Sequence, residues 1–456
     1  MNSTLGQMDR NWRMVVCAVA VLMVVSSVDA DDWPQWRGPN RDGVWRETGI
    51  VSRLDAPDGR LPLRWQKDIG AGYSGPTVAD GRVYVSDRIS NDKELERVHC
   101  FDFKTGKSIW KHAYEAEYGR ISYKSGPRTS VLIDPAEPGE KVSSRAYSLG
   151  GVGHLHCYDA ATGKVLWKRN LTSDYKIRMP RWGIAASPIV VGHLLILQIG
   201  GSDGACIIGL DKRTGAERWR ALEDDASYVA PIMVQQASKR VLVCYTSDNL
   251  VGMDPKTGKV YWSYAMPGSK WPISVSTPVV YKAGQDQVIF TTNAHVGSAL
   301  VKLESDKLAV TEIWRRNGQN HPDNMHSLIP TPVILRGHIY GTHSRGELRC
   351  LELMTGKRVW ESTEPVKLDR FATIHMVAQG DTGDRVWIFN EHGELIIAEL
   401  TASKYQEISR AKLIAPTQPG LPSRRAGVTW SHPAFAYRHV FARNDRQLVC
   451  ADLSAK

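Results

Sequence analysis

The stretch Val98-His99-Cys100-Phe101-Asp102-Phe103-Lys104-Thr105-Gly106-Lys107-Ser108-Ile109-Trp110 decides the fold, because it comes back. It returns as LHCYDAATGKVLW (Leu155 to Trp167), IIGLDKRTGAERW (Ile207 to Trp219) and LVGMDPKTGKVYW (Leu250 to Trp262). A later copy, LRCLELMTGKRVW (Leu348 to Trp360), carries Glu352 in place of Asp. Leu300 to Trp314 keeps the apolar alternation and the Trp but loses Thr-Gly, Leu395 to Ile408 loses both, and an eighth copy starts at Leu448. The anchoring acids are Asp102, Asp159, Asp211, Asp254, Glu304, Glu352, Glu399 and Asp452, at successive gaps of 57, 52, 43, 50, 48, 47 and 53 residues. Periods of this size mean a propeller, a solenoid or an array.

Each unit is β. Leu-x-x-Leu-Asp alternates faces as a strand does. Asp-x-x-Thr-Gly is turn chemistry: the Asp side chain accepts from following amides, and Gly supplies positive φ. Lys-x-x-Trp then opens a second strand. Upstream of each hairpin lies another strand pair, clearest at Pro76-Thr77-Val78 and Val83-Tyr84-Val85 around the turn Asp80-Gly81. Four short strands repeated eight times predict an all-β, eight-bladed β-propeller of four-stranded antiparallel blades. Leu63-Arg64-Trp65 resembles the outer Trp strand but has no partner before it, and the last unit lacks that strand. Residues 61–68 are therefore expected to close the ring by completing the last blade, which removes the open ends of the array. The recurring Trp65, Trp110, Trp167, Trp219, Trp262, Trp314 and Trp360 read as packing residues between neighbouring blades, worth on the order of 3–5 kcal/mol each on truncation.

The Asp-x-x-Thr-Gly-Lys-x-x-Trp hairpin resembles the tryptophan-docking repeat of the pyrroloquinoline-quinone (PQQ) propellers, over about residues 61–456. That family includes quinoprotein alcohol dehydrogenases and the outer-membrane assembly factor BamB. The segment Asp32-Trp33-Pro34-Gln35-Trp36-Arg37-Gly38-Pro39-Asn40 is similar to the opening of exported PQQ-like proteins. The resemblance implies the eight-bladed fold. The quinoprotein dehydrogenases also place a vicinal Cys-Cys disulfide over the cofactor, and hold Ca²⁺ with acidic and Asn residues beside a catalytic Asp. This chain has no Cys-Cys pair, and no matching acidic set is assigned. Fold alone does not carry chemistry.

The flanks and the composition limit where the chain works. Arg10 and Arg13 precede an apolar run from Met14 to Val25, and Val28-Asp29-Ala30 offers small residues at a cleavage site. This pattern predicts a signal peptide over 1–30, a second segment over 31–60 and the propeller over 61–456. The expected location is periplasmic or extracellular, with no transmembrane segment after cleavage. Cys17 lies inside the apolar run, so lipidation is not indicated. The net charge of +10 favours acidic partners, and export argues against nucleic acid. Six further cysteines form no CxxC, and four of them (Cys100, Cys157, Cys350, Cys450) share one repeat position, so they read as small buried apolar residues.

In such a ring, the segment leading into each innermost strand lies at one mouth of the central channel. These segments contribute Arg128 from blade 2, Arg181 and Trp182 from blade 3, Tyr228 from blade 4 and Trp271 from blade 5. His326, His375, and Trp430 with His432 follow from blades 6, 7 and 8. Taken one at a time, each is most simply an ordinary rim residue. As a set, Arg forks and indole faces around one funnel suit a planar or anionic ligand, such as PQQ or an acidic sugar. His321 and His326 lack metal-ligand spacing, and no nucleophile elbow, P-loop or metalloprotease motif occurs, so catalytic residues are not assigned and no metal is expected. The reading preferred is a binding or scaffold protein whose partner is an envelope protein or an acidic small molecule or polysaccharide. The alternative is a PQQ-dependent oxidoreductase of alcohols or sugars, and a third is a carbohydrate-active propeller. No cofactor is required, and PQQ is the one the resemblance allows.

Overall fold

In a computed structural model of the chain, each Asp-x-x-Thr-Gly stretch closes a hairpin by itself. Asp102 Oδ1 accepts from the Thr105 backbone N–H at 2.8 Å and from its hydroxyl at 2.6 Å, and the Gly106 N–H returns to the Asp102 carbonyl at 2.8 Å. The same turn recurs at Asp159, Asp211 and Asp254. The structure describes residues 31–455 except 120, 267–273, 319–320, 382 and 420–426. The expected signal peptide lies outside the described residues.

The hairpins build eight antiparallel blades. Blade 1 comprises Thr77–Ala79, Arg82–Ser90, Glu94–Asp102 and Ser108–Glu115. Blade 2 has its inner strands at Leu132–Pro135 and Ser144–Leu149, blade 3 at Ile189–Val191 and Leu194–Gly201, and blade 4 at Ile232–Gln236 and Lys239–Tyr245. Those of blades 5, 6 and 7 are Val279–Ala283 and Asp286–Asn293, Val333–Leu335 and His338–Thr342, and Ile374–Gln379 and Arg385–Asn390. Blade 8 runs Ala434–Ala436, His439–Arg443 and Gln447–Asp452, and its outermost strand is Trp65–Asp68, with Trp65 opposite Cys450. The ring closes through that N-terminal strand.

Blades pack face to face, so their middle strands are covered on both sides and read as continuous apolar runs rather than alternating ones. Leu194, Leu195, Ile196 and Leu197 are each 1% exposed or less. One core between blades 3 and 4 joins Ile196, Cys206 and Trp219 to Leu242, Cys244 and Met253. The six cysteines from Cys100 onward are buried thiols.

The Gly of the repeat turn has a second use. The indole of one blade lies over the Gly of the next: Trp65 over Gly106, Trp110 over Gly163, Trp167 over Gly215, Trp219 over Gly258 and Trp314 over Gly356. A Cβ on Gly163 would sit 2.5 Å from Trp110, at φ 74°. Most of these indoles also donate to a carbonyl of the following blade, as Trp110 does to Ala160 at 2.9 Å. Trp262 faces the blade whose Thr-Gly is lost, and donates to Gln236 of its own blade instead, at 2.9 Å.

Residues 31–47 run through the channel itself. Trp33 exchanges backbone hydrogen bonds with Val78 of blade 1, and the Pro34 carbonyl accepts from Ile133 of blade 2. The Arg41 guanidinium donates to carbonyls of Ser187, Pro188 and Pro231 in the segments leading into blades 3 and 4. The Trp36 indole donates to Thr277 before blade 5, and Val44–Trp45 adds a short parallel strand to the innermost strand of blade 7. Glu47 then accepts from the Trp45 indole and from the Arg438 N–H of blade 8. Arg37 and Arg41 are 8% and 5% exposed, and burial lowers their pKa to about 10 and about 9, which leaves both cationic at neutral pH. Their charge is met by backbone carbonyls, whose dipoles stand in for water.

Candidate functional site

Every blade-to-blade connection sends residues to one mouth of the channel, and the N-terminal arm supplies the floor. The result is a funnel lined by Trp36, Tyr73, Tyr123, Trp182, Tyr228, Phe371 and Trp430, with Arg128, His375 and His432 among the few polar side chains. Its volume is about 140 Å³.

The aromatic wall is ordered by mutual contact. Trp182 stacks on Tyr228 with centroids 5.2 Å apart, and Tyr123 meets Trp182 edge-on at 5.7 Å. The Tyr228 hydroxyl accepts from the Trp182 backbone N–H at 3.1 Å, which fixes the stack. Trp430 packs against Tyr73 and Tyr123 at 6.5 and 6.0 Å, and its indole N–H donates to Glu391 at 3.3 Å. Burial raises the Tyr73 pKa to about 12, so this wall is uncharged.

Arg128 looks like an anion hook in the sequence, but its guanidinium is occupied. It donates to the carbonyls of Ser122 at 2.9 Å and Tyr123 at 2.7 Å, and also to Gly126. Its face lies 5.3 Å from the Tyr73 ring centroid. It therefore braces the loop that carries Tyr123, with its π-face rather than its fork toward the funnel.

The floor is a pair of histidines under an indole. Trp36 meets His432 edge-on at 4.3 Å, and His375 lies 6.2 Å from His432. His432 Nε2 lies 2.9 Å from the Ser130 hydroxyl and its Nδ1 3.3 Å from the Pro433 carbonyl. A carbonyl only accepts, so the proton sits on Nδ1 and the serine hydroxyl donates to Nε2. His375 Nε2 likewise donates to the Trp430 carbonyl at 2.9 Å. Burial pulls His375 down to about 4 and His432 to about 3; the Arg37 charge opposes protonation of both, and His375 opposes that of His432. Both are neutral at pH 7, and the floor is apolar in effect.

Six of the nine residues singled out in the sequence thus share the funnel: Arg128, Trp182, Tyr228, His375, Trp430 and His432. Arg181 turns the other way, into a recess with Tyr118, His154 and Met179 on the blade 1 to blade 3 side. His326 lines a third space with His295, His343 and Arg370. Trp271 lies outside the described residues. The reason for the split is local: Arg181 and Trp182 are the two central residues of a turn closed by the Gly183 N–H to the Pro180 carbonyl at 2.8 Å, and their side chains leave it in different directions. Tyr123 and Phe371 occupy the same connections as Arg128 and His375, so the repeat register locates them too. Trp36 carries no such signal, because it stands outside the repeat. Among the described residues no group of His, Cys, Asp and Glu is placed to hold a metal ion.

The family described as outer membrane protein assembly factor BamB matches residues 47–127 and 96–362. The outer membrane protein assembly factor BamB of Yersinia pestis is 22% identical over 256 residues, 53% of this chain and 60% of that protein. Quinohemoprotein alcohol dehydrogenase ADH IIB of Pseudomonas putida is 26% identical over 193 residues, 41% of this chain and 26% of that one. The chain thus spans less than two thirds of either relative. Among solved structures, quinohemoprotein alcohol dehydrogenase from Comamonas testosteroni superposes with a TM-score of 0.62 at 15% identity, covering 93% of this chain and 81% of that one. At that identity the likeness is one of fold.

Proposed function

Because the chain belongs to the family described as outer membrane protein assembly factor BamB, we propose that it is a binding or scaffold propeller of the cell envelope, not a catalyst, and that its aromatic funnel is the recognition site. The expected signal peptide supports placement outside the cytoplasm. The observation that carries the reading is the size and chemistry of the funnel. A volume of about 140 Å³ compares with the ~150 Å³ apolar cavity that takes up one benzene ring. Among the described residues, seven Phe, Tyr and Trp side chains line it. That combination favours a single flat ring, such as an aromatic side chain of a partner protein or a small cyclic compound.

The oxidoreductase alternative asks more of the lining than it contains. PQQ is a tricyclic tricarboxylate used with Ca²⁺. Among the described residues no Asp, Glu or Asn lines the funnel, and the one guanidinium that does already serves three carbonyls. The described lining does not fit that cofactor, and no redox step is assigned.

The test is titration of the purified protein, followed by tryptophan fluorescence and thermal shift, with 4-methylphenol in one arm and PQQ plus Ca²⁺ in the other. Saturable quenching by the phenol that is lost in Trp182→Ala supports the reading. A thermal shift with PQQ and Ca²⁺, accompanied by dye-linked oxidation of an alcohol or sugar, overturns it.

A further inference from the structure

The funnel has a polar neighbour. Phe371 lines both spaces, so its ring is a shared wall, and the second space is the larger at about 540 Å³. Phe371 is held at φ 60°, a conformation bulky side chains seldom adopt. Two backbone bonds pin it there: Phe371 N–H to the Ser344 carbonyl and Asp369 N–H to the Arg345 carbonyl, both 3.0 Å. The connection leading into blade 7 is thereby laced to the turn between the two middle strands of blade 6. Strain of this kind is kept where the surroundings over-determine it, often at ligand sites.

The second space is lined by His326, His343, Arg345, Asp369, Arg370 and Phe371, among others. Arg345 and Arg370 are exposed and make no ion pair among the described residues. The Arg370 guanidinium lies 5.0 Å from the Phe371 ring centroid, so it stands at the wall between the spaces. His343 Nδ1 accepts from the His326 backbone N–H at 3.2 Å, which leaves the ring proton on Nε2 as a donor. His326 and His343 are both depressed by burial, and neither adds charge at neutral pH. The two guanidiniums stand near the Asp369 carboxylate and that of Glu347, which accepts from the Arg345 backbone N–H at 3.1 Å, so the recess is not strongly cationic. That balance suits a carboxylate better than a doubly charged phosphate.

We infer that this recess is the carboxylate subsite of the funnel, so that the ligand is a flat ring joined by a short spacer to a carboxylate, with the ring against Trp182 and Phe371 and the carboxylate on Arg345 and Arg370. The inference rests on the ring-binding reading above. It specifies the ligand class that the reading leaves open.

The experiment compares 3-phenylpropionate with 3-phenylpropionamide by calorimetry on the purified full chain at pH 7. N-acetyl-Phe-Glu-amide runs beside N-acetyl-Phe-Gln-amide, to tell a free acid from an acidic residue next to an aromatic one. The expected result is that at least one acid binds roughly tenfold more tightly than its neutral partner, as charge-assisted hydrogen bonds allow. In Arg345→Gln/Arg370→Gln that preference is expected to vanish while the neutral ligand binds as before. Salt dependence of the acid in the unaltered protein is a second readout that needs no variant. Equal binding of acid and amide overturns the inference and leaves the ring site standing. Failure of all four ligands to bind removes the ring site as well.

Discussion

The Arg41 guanidinium donates to the Pro231 carbonyl at 3.1 Å and so ties the N-terminal arm to the segment before blade 4, 190 residues away. The same side chain reaches the carbonyls of Ser187 and Pro188 before blade 3. One buried cation therefore holds two neighbouring blades to a segment from outside the repeat. Arg41→Ala leaves those carbonyls without a donor in a water-poor channel. The expected loss is about 3–5 kcal/mol of stability, read as a lower urea midpoint. Arg41→Lys, with a point charge and no fork, is expected to recover only part of it.

The stack of Trp110 on Gly163 gives a second expectation. Gly163→Ala puts a methyl 2.5 Å from the indole at φ 74°, and a cost of roughly 2–4 kcal/mol follows from strain plus overpacking. Gly192→Ala is the control: φ is 61° there but nothing lies within 4 Å of the added carbon, so only the backbone term of about 1 kcal/mol applies. Equal costs at the two sites would refute the packing role of the turn glycine.

Acid sensitivity follows from the neutral floor. His375 and His432 fall from the ordinary 6.5 to about 4 and about 3 in the folded chain. Between those values the unfolded chain binds protons that the folded chain refuses, so stability is intact above pH 6.5 and declines as the pH falls toward 4. By pH 5 the loss is about 2 kcal/mol for each such histidine. His432→Gln is expected to flatten the pH 7 to pH 5 drop in urea stability by about that amount, whatever it does to the absolute value.

Trp36 sets the depth of the funnel. It also lines a smaller cavity beneath, beside Trp33, Arg37 and Met376. Trp36→Ala joins the two spaces, and naphthyl probes are expected to gain affinity relative to phenyl ones, measured by competition in fluorescence. An unchanged preference would place the floor elsewhere.

The six cysteines from Cys100 onward are buried and unpaired. Burial raises the thiol pKa of Cys100, Cys157 and Cys350 to about 12. A thiol without thiolate character is a poor nucleophile. The native protein is therefore expected to leave all six unmodified by a disulfide reagent at pH 8, with labelling only after unfolding.

The repeat by itself determined the ring. A hairpin with one Asp, one Gly and one Trp cannot cover its own apolar faces, so the copies must shield one another. Leu63-Arg64-Trp65, with no strand before it, had one vacancy to fill beside Cys450. The register of that repeat also brought Arg128, Trp182, Tyr228, His375, Trp430 and His432 to one mouth, because equivalent positions on a ring converge on its axis. Only the tertiary structure decided what those residues do. The guanidinium of Arg128 turned inward to carbonyls, and burial kept the two histidines neutral, neither of which spacing can reveal. The arm was undetermined for a related reason: Trp36 and Arg41 obey no period, and their partners, Thr277, His432 and the carbonyls of Ser187, Pro188 and Pro231, are scattered over four blades and exist as a surface only after the ring has closed.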